Sequence, residues 1–197
     1  MEEKILTEKE SFELISQMIQ NTRDKIKKNS GTPFLIWGYV TIIVALATWY
    51  MLTTTGNHWW HLLWFSIPVL GAPLYFMFFK KKKEHVTTYI DRIVGNIWLV
   101  FGFVVVIASI LSFIVWPFPI LFLVLLLISM GVTLTGFVIR FNTAIGFGFF
   151  GIIASFAFLF VTGINQILVF AAIFLIMMVI PGHILNYLTK KELCSKN

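Results

Sequence analysis

Between Phe34 and Thr189 the chain carries only eight formal charges, Lys80, Lys81, Lys82, Lys83, Glu84, Asp91, Arg92 and Arg140, and everything between them is uncharged and mostly apolar. A helix needs about 20 predominantly apolar residues to cross the hydrocarbon of a bilayer. Turn signals divide the uncharged stretches into six such lengths, at residues 34–54, 60–79, 93–116, 118–139, 142–162 and 164–188. These runs are continuous and show no alternation, which excludes the period of a closed barrel and leaves helices as the way to satisfy backbone groups in lipid. The expected fold is an all-α membrane protein. With 58% hydrophobic and 12% charged residues, the chain is also far from a soluble domain, in which about a quarter of residues are charged.

Threading six spans gathers residues 1–33, the loop 80–92, residues 140–141 and the tail 189–197 on one face, and that face holds all 15 Lys and Arg. The positive-inside rule then predicts both chain ends on the cytoplasmic side of a bacterial inner membrane. No cleavable leader is predicted, because the first 33 residues are polar and the first apolar run is long enough to span. The net charge of +6 is what this topology requires, so the partner it implies is the lipid surface and not nucleic acid. A single cysteine, Cys194, excludes an internal disulfide.

Thr7 and Glu10 form a capping-box pattern, and Phe12, Ile15, Ile19 and Ile26 follow at helical spacing. The pattern predicts an amphipathic cytoplasmic helix over 8–28, with Lys25, Lys27 and Lys28 in its last turn and Gly31 and Pro33 ending it before the first span. Its apolar stripe needs a cover: the membrane surface, a second copy in a homo-oligomer, or a cytoplasmic protein partner. Phe12, Ile15 and Ile19, with the lysines Lys80, Lys81, Lys82 and Lys83, are the candidate contacts for partner or lipid. Val86, Tyr89, Ile90 and Ile93 recur at i, i+3, i+4 and i+7 and extend the third span into the loop.

The six spans also read as three hairpins of one pattern. Gly102-Phe103 followed by Ile107-Ala108-Ser109 matches Gly148-Phe149 followed by Ile153-Ala154-Ser155, and Gly38-Tyr39 with Ile43-Val44-Ala45 is a looser copy. Each hairpin returns through a small or helix-breaking residue, Gly71, Gly131 or Pro181, nine positions before a cation, Lys80, Arg140 or Lys190. Hairpins that start and end on one side are parallel repeats. Ala144, Gly148, Gly151 and Ser155 lie on one face of span five and are expected to pack against neighbouring helices, since small residues let backbones approach in lipid.

No Asp, Glu, Lys or Arg falls within a span, which argues against ion-coupled transport and intramembrane acid–base chemistry. His183 follows Pro181-Gly182, where a kinked helix would free a carbonyl for it to bond; with Asn186 it is the candidate intramembrane polar site. His58 and His61 lack the carboxylate or thiolate companions of a zinc site. Trp49, Tyr50, Trp59, Trp60, Trp64 and Trp116 read as an outer aromatic belt. No hydrolase, metalloprotease or phosphate-loop pattern occurs, so no catalytic residue, cofactor or metal is expected.

The runs Trp37-Gly38-Tyr39, Thr88-Tyr89-Ile90-Asp91-Arg92 leading to Ile97-Trp98, and Ile180-Pro181-Gly182-His183 resemble a family of small, uncharacterised six-span bacterial inner-membrane proteins with a polar amphipathic N-terminus. The resemblance implies that architecture and brings no activity or active site. A looser likeness, limited to glycine-rich triple hairpins, is to the acid-resistance membrane proteins called HdeD. The function expected from all this is a non-enzymatic regulatory or accessory membrane module acting through its cytoplasmic helix and loop. The alternative is a small transporter, channel or exporter for an apolar or neutral solute.

Overall fold

Thr7 opens the first helix: its hydroxyl accepts from the Glu10 N–H at 3.4 Å, and the Glu10 carboxylate accepts from the Thr7 N–H at 2.9 Å, the reciprocal cap that satisfies two orphan donors. The computed structural model describes residues 7–80, 89–114 and 119–194, and every regular element among them is helical. Helix α1 runs without a break from Glu8 to Thr55. The expected stop at Gly31 and Pro33 is therefore corrected, and the amphipathic segment and the first span are one rod. At 1.5 Å per residue its 48 residues extend about 72 Å. Packing explains the continuity. Gly31 is buried against the Asn186 side chain and the Gly182 carbonyl, and Phe34 and Leu35 lie on Gly182. These contacts hold helical a turn that a proline by itself weakens by about 3 kcal/mol.

Gly56, at φ 64°, closes α1 by donating its N–H to the Leu52 carbonyl. The Asn57 side chain then accepts from the Trp59 N–H at 3.1 Å and starts a 3₁₀ helix, His58–Phe65, where the sequence predicted the beginning of an α-helical span. In a 3₁₀ helix residues three apart eclipse, so His58 stacks on His61 with ring centroids 6.3 Å apart. The same column carries Trp64 edge-on to Phe170 at 5.4 Å. Trp49, Trp60 and Trp64 are half-buried and pack on the core; the Trp49 indole nitrogen is buried without a partner among the described residues. Tyr50 and Trp59 remain exposed, and Trp116 lies outside the described residues.

The chain continues as α2 (Ser66–Lys80), α3 (Tyr89–Ile114), α4 (Ile120–Ile139) and α5 (Asn142–Phe158). Tyr89 and Ile90 belong to α3, while Val86 lies outside the described residues. Arg140 and Phe141 alone join α4 to α5: Arg140 takes the left-handed conformation at φ 52°, and the Phe141 N–H returns to the Gly136 carbonyl at 2.9 Å. After α6 (Gln166–Phe174), residues Leu175–Val179 form a π-helical turn that leads into α7 (Ile180–Cys194). The Ile180 N–H reaches back five residues to the Leu175 carbonyl. A proline ring at position 181 would strike a carbonyl four residues back in a regular helix, and the wider turn relieves that conflict. At Pro181-Gly182, where a kink is expected, the helix accommodates the proline through this π turn.

Five of these helical stretches are long and apolar enough to cross a membrane: Gly31–Thr55, His58–Met77, Tyr89–Ser112, Ile120–Ile139 and Gln166–Leu188. This is the make-up of a multi-pass helical membrane protein. Helix α5, at 17 residues, is shorter. The most extensive contact joins α1 to the α6–α7 rod, followed by α4 against α5. Between them sits a core built on Ala45, Leu125, Val132, Phe170, Phe174 and Met177. Helices α2 and α3 lie outside it, α2 on α1 and α3 on α4.

Candidate functional site

Ala144, Gly148, Gly151 and Ser155 are all buried, on the side of α5 that meets α4 and the π turn. A Cβ on Gly148 would stand 2.8 Å from the Thr133 nitrogen and 2.9 Å from its Cα, so backbone meets backbone there. A Cβ on Gly151 would meet the Met177 sulfur and the Ser129 hydroxyl, both at 2.5 Å. Ser129 and Met177, which carry no local signal, complete this seam from other spans. Its polar groups are satisfied close to home. Ser129 donates to the Leu125 carbonyl at 2.6 Å and lies 2.9 Å from the Met177 sulfur, and Thr133 donates to the Ser129 carbonyl at 2.8 Å. Such back-bonding leaves helices without unpaired groups in lipid.

His183 lies on the exposed side of α7 and pairs with Tyr39 of α1, hydroxyl to Nε2, at 2.7 Å. The expected partner, a carbonyl freed by Pro181, is replaced by a phenol 144 positions away in sequence. When the neutral ring carries its proton on Nδ1, the Tyr39 hydroxyl donates. Asn186, one turn on, is half-buried and faces Gly31 of α1. His183 and Asn186 are thus both used in joining α1 to α7, each against a different residue of α1.

His58 and His61 stack on one another, and among the described residues no three His, Cys, Asp or Glu side chains gather as a metal site. A shallow groove of about 330 Å³ between α3 and α4 is lined by Asn96, Ile97, Val100, Phe101 and Leu134, and its wall is apolar. At the N-terminal end Phe12 is 77% exposed and Leu14 is exposed beside it. Ile15 and Ile19 fall within α1, Lys80 ends α2, and Lys81, Lys82 and Lys83 lie outside the described residues. The Glu10 carboxyl is held below the usual carboxylate range by the Thr7 N–H first and the Thr7 hydroxyl second. Comparison with known proteins adds nothing to this geometry: no family model, no curated protein and no solved structure matches the chain.

Proposed function

We propose that this chain is a six-span inner-membrane protein of bacterial type, with both ends in the cytoplasm, and that it acts as a non-enzymatic regulatory or accessory module. The observation that carries the reading is the unbroken α1. Its exposed Phe12 and Leu14 stand at one end of a rod whose other half packs on α6 and α7. A protein that docks on that stripe, or a lipid surface that receives it, moves the α1–α7 contact directly, with no hinge between.

Six crossings are supported by the two-residue turn at Arg140-Phe141, which forces α5 antiparallel to α4. Their shared contacts, Gly136 on Ile145, Thr133 on Gly148 and Ser129 on Gly151, run along both helices. A 17-residue helix is short of the hydrocarbon thickness by only a few ångströms, which local thinning absorbs. The inside placement of that turn is supported by Arg140 itself. A left-handed backbone costs a non-glycine residue about 1 kcal/mol, and holding arginine there is what the positive-inside rule asks of a turn with no other cation. The hairpin repeat is supported by contacts: Trp37, before Gly38, lies on Gly71, and Phe101, before Gly102, lies on Gly131.

Cross-linking in cells tests the functional reading. The full chain should capture one reproducible cytoplasmic protein or show lipid-surface protection of Phe12, and removal of residues 1–30 should abolish it. Capture unchanged by that deletion sinks the reading.

A further inference from the structure

The 3₁₀ helix His58–Phe65 gathers its polar and aromatic side chains into one column. Positions three apart eclipse in such a helix, and the His58 ring stacks on that of His61 with centroids 6.3 Å apart and planes within 12° of parallel. The next residue of the column, Trp64, meets Phe170 edge-on at 5.4 Å. Phe170 is fully buried and stacks on Phe174, also at 5.4 Å. One end of the column is therefore an exposed imidazole, His58, and the other touches the core, with His61 half-buried between them.

We propose that His58 and His61 form a pH-sensitive latch on the outer face of the protein: with at most one ring charged the column holds Trp64 on Phe170, and charging both releases it. The outer placement rests on the six-span reading, whereas the latch rests on the column alone.

Histidine is the side chain whose ordinary titration falls between about pH 5 and 8, and no other group of that kind stands on the elements around the column. The 3₁₀ helix packs on α1 and α2 and reaches α6 through Phe170. Residues 34–79 contain no Lys, Arg, Asp or Glu, and neither does α6. The titratable groups of these elements are Tyr39 and Tyr50 on the spanning part of α1, whose charged residues all precede Gly31, and Tyr75 with the terminal Lys80 on α2. No carboxylate is therefore at hand to pair with an imidazolium, and a second proton meets the charge of the first. At this separation the repulsion of two unit charges near a protein surface changes an equilibrium constant about tenfold. The element that receives it is weakly held, because 3₁₀ hydrogen bonds are poorly aligned and runs beyond three or four residues are uncommon, whereas this one has eight. Pro68, in the first turn of α2, opposes rewinding the stretch as α-helix, since its ring would strike the Trp64 carbonyl. Repulsion between the rings then parts the column, and a local charge change is read in the core through Trp64.

Fluorotryptophan incorporated into the full chain in lipid nanodiscs reports the latch. The fluorine resonance of Trp64, assigned as the one missing from Trp64→Phe, should pass from a packed to a released position as pH falls from about 8 to about 5. The ratio of the two forms should change about tenfold. His58→Gln, at an exposed position, should keep the packed signal and abolish the acid step, and His61→Gln should do the same. A Trp64 signal that does not move, or a step that persists in His58→Gln, overturns the proposal. His183→Gln should leave the step in place; its loss there assigns the step to the other end of the molecule and overturns the proposal as well. Topology is read separately, in sealed proteoliposomes holding the chain in one orientation. Acid on the face opposite the Lys80 loop should trigger release. Release by acid on the loop face alone, still removed by His58→Gln, upholds the latch and sinks the six-span placement.

Discussion

Helices α3 and α4 are equally apolar, yet 6% of the spanning window of α3 is buried against 44% of that of α4. Both carry glycines. In α4, Gly131 lies under Phe101 and Gly136 under the backbone of Ile145; in α3, Gly95 and Gly102 face open space. The difference teaches that hydropathy selects the solvent and not the neighbour. Lipid is as apolar as leucine, so helices in it associate through close packing and a few hydrogen bonds. Both helices also carry hydroxyl residues spent on their own carbonyls, Ser129 on Leu125 and Thr133 on Ser129 in α4 and Ser109 on Val105 in α3. On α4 that surface meets α5 at backbone distance, whereas on α3 the glycines face open space.

The sharpest way to break the comparison is to put the same side chain into both environments. Gly148→Leu drives four carbons into the Thr133 backbone, which cannot rotate away, and should cost about 3 kcal/mol or more. Gly102→Leu should leave the unfolding of the single chain unchanged. Reversible unfolding in mixed micelles, followed by Trp fluorescence, measures both; equal effects would mean that α5 is no closer to α4 than α3 is to open surface.

Truncation offers a second contrast. Leu125, fully buried in α4, should lose about 2 kcal/mol on change to Ala, the low end for a core leucine because the hydrocarbon surroundings remove part of the transfer term. Leu99 of α3, 69% exposed, should lose almost nothing in the same assay.

A smaller effect is expected where the α1–α7 contact depends on one polar pair. Tyr39→Phe removes the hydroxyl from His183 and should destabilise by about 0.6 kcal/mol, the average for a hydrogen bond between helices in lipid. His183→Phe combined with it should add little. Strongly additive losses in the double-mutant cycle would show that the two residues act apart.

The smallest effect lies farthest from the bundle. Because the Thr7 N–H and hydroxyl lower the Glu10 carboxyl relative to the unfolded chain, its contribution to the start of α1 is present above the ordinary carboxylate value. That contribution is lost as pH falls through the lowered value. Amide exchange at residues 8–12 should quicken in that acid range, and Glu10→Gln should remove the pH dependence while leaving α3 and α4 exchange untouched.

Much of this architecture was legible because it depends on nearest neighbours along the chain. The capping residues Thr7 and Glu10, the apolar runs, the turn at Arg140 and the small face of Ala144, Gly148, Gly151 and Ser155 are all local patterns. Gly31 and Pro33 read as a stop because each weakens an isolated helix. Contact with α7 overrides that weakness. That Trp49, Trp60 and Trp64 pack half-buried on the core was not legible locally, because it depends on the 3₁₀ turn and on helices distant in sequence. For the candidate site, His183 was found by its type and its place in an apolar span. Its partner Tyr39 was not, since a contact across 144 positions leaves no trace in local spacing.

By itself the sequence determined the solvent of this protein, the helical class and the places where the chain turns, because burial of the backbone in hydrocarbon allows few other solutions. Only the tertiary structure decided which glycine is covered, by Thr133 at Gly148 and by nothing at Gly102. Two faces of equal apolarity differ in whether a neighbour reaches them at all, and that fit exists only once the helices have met.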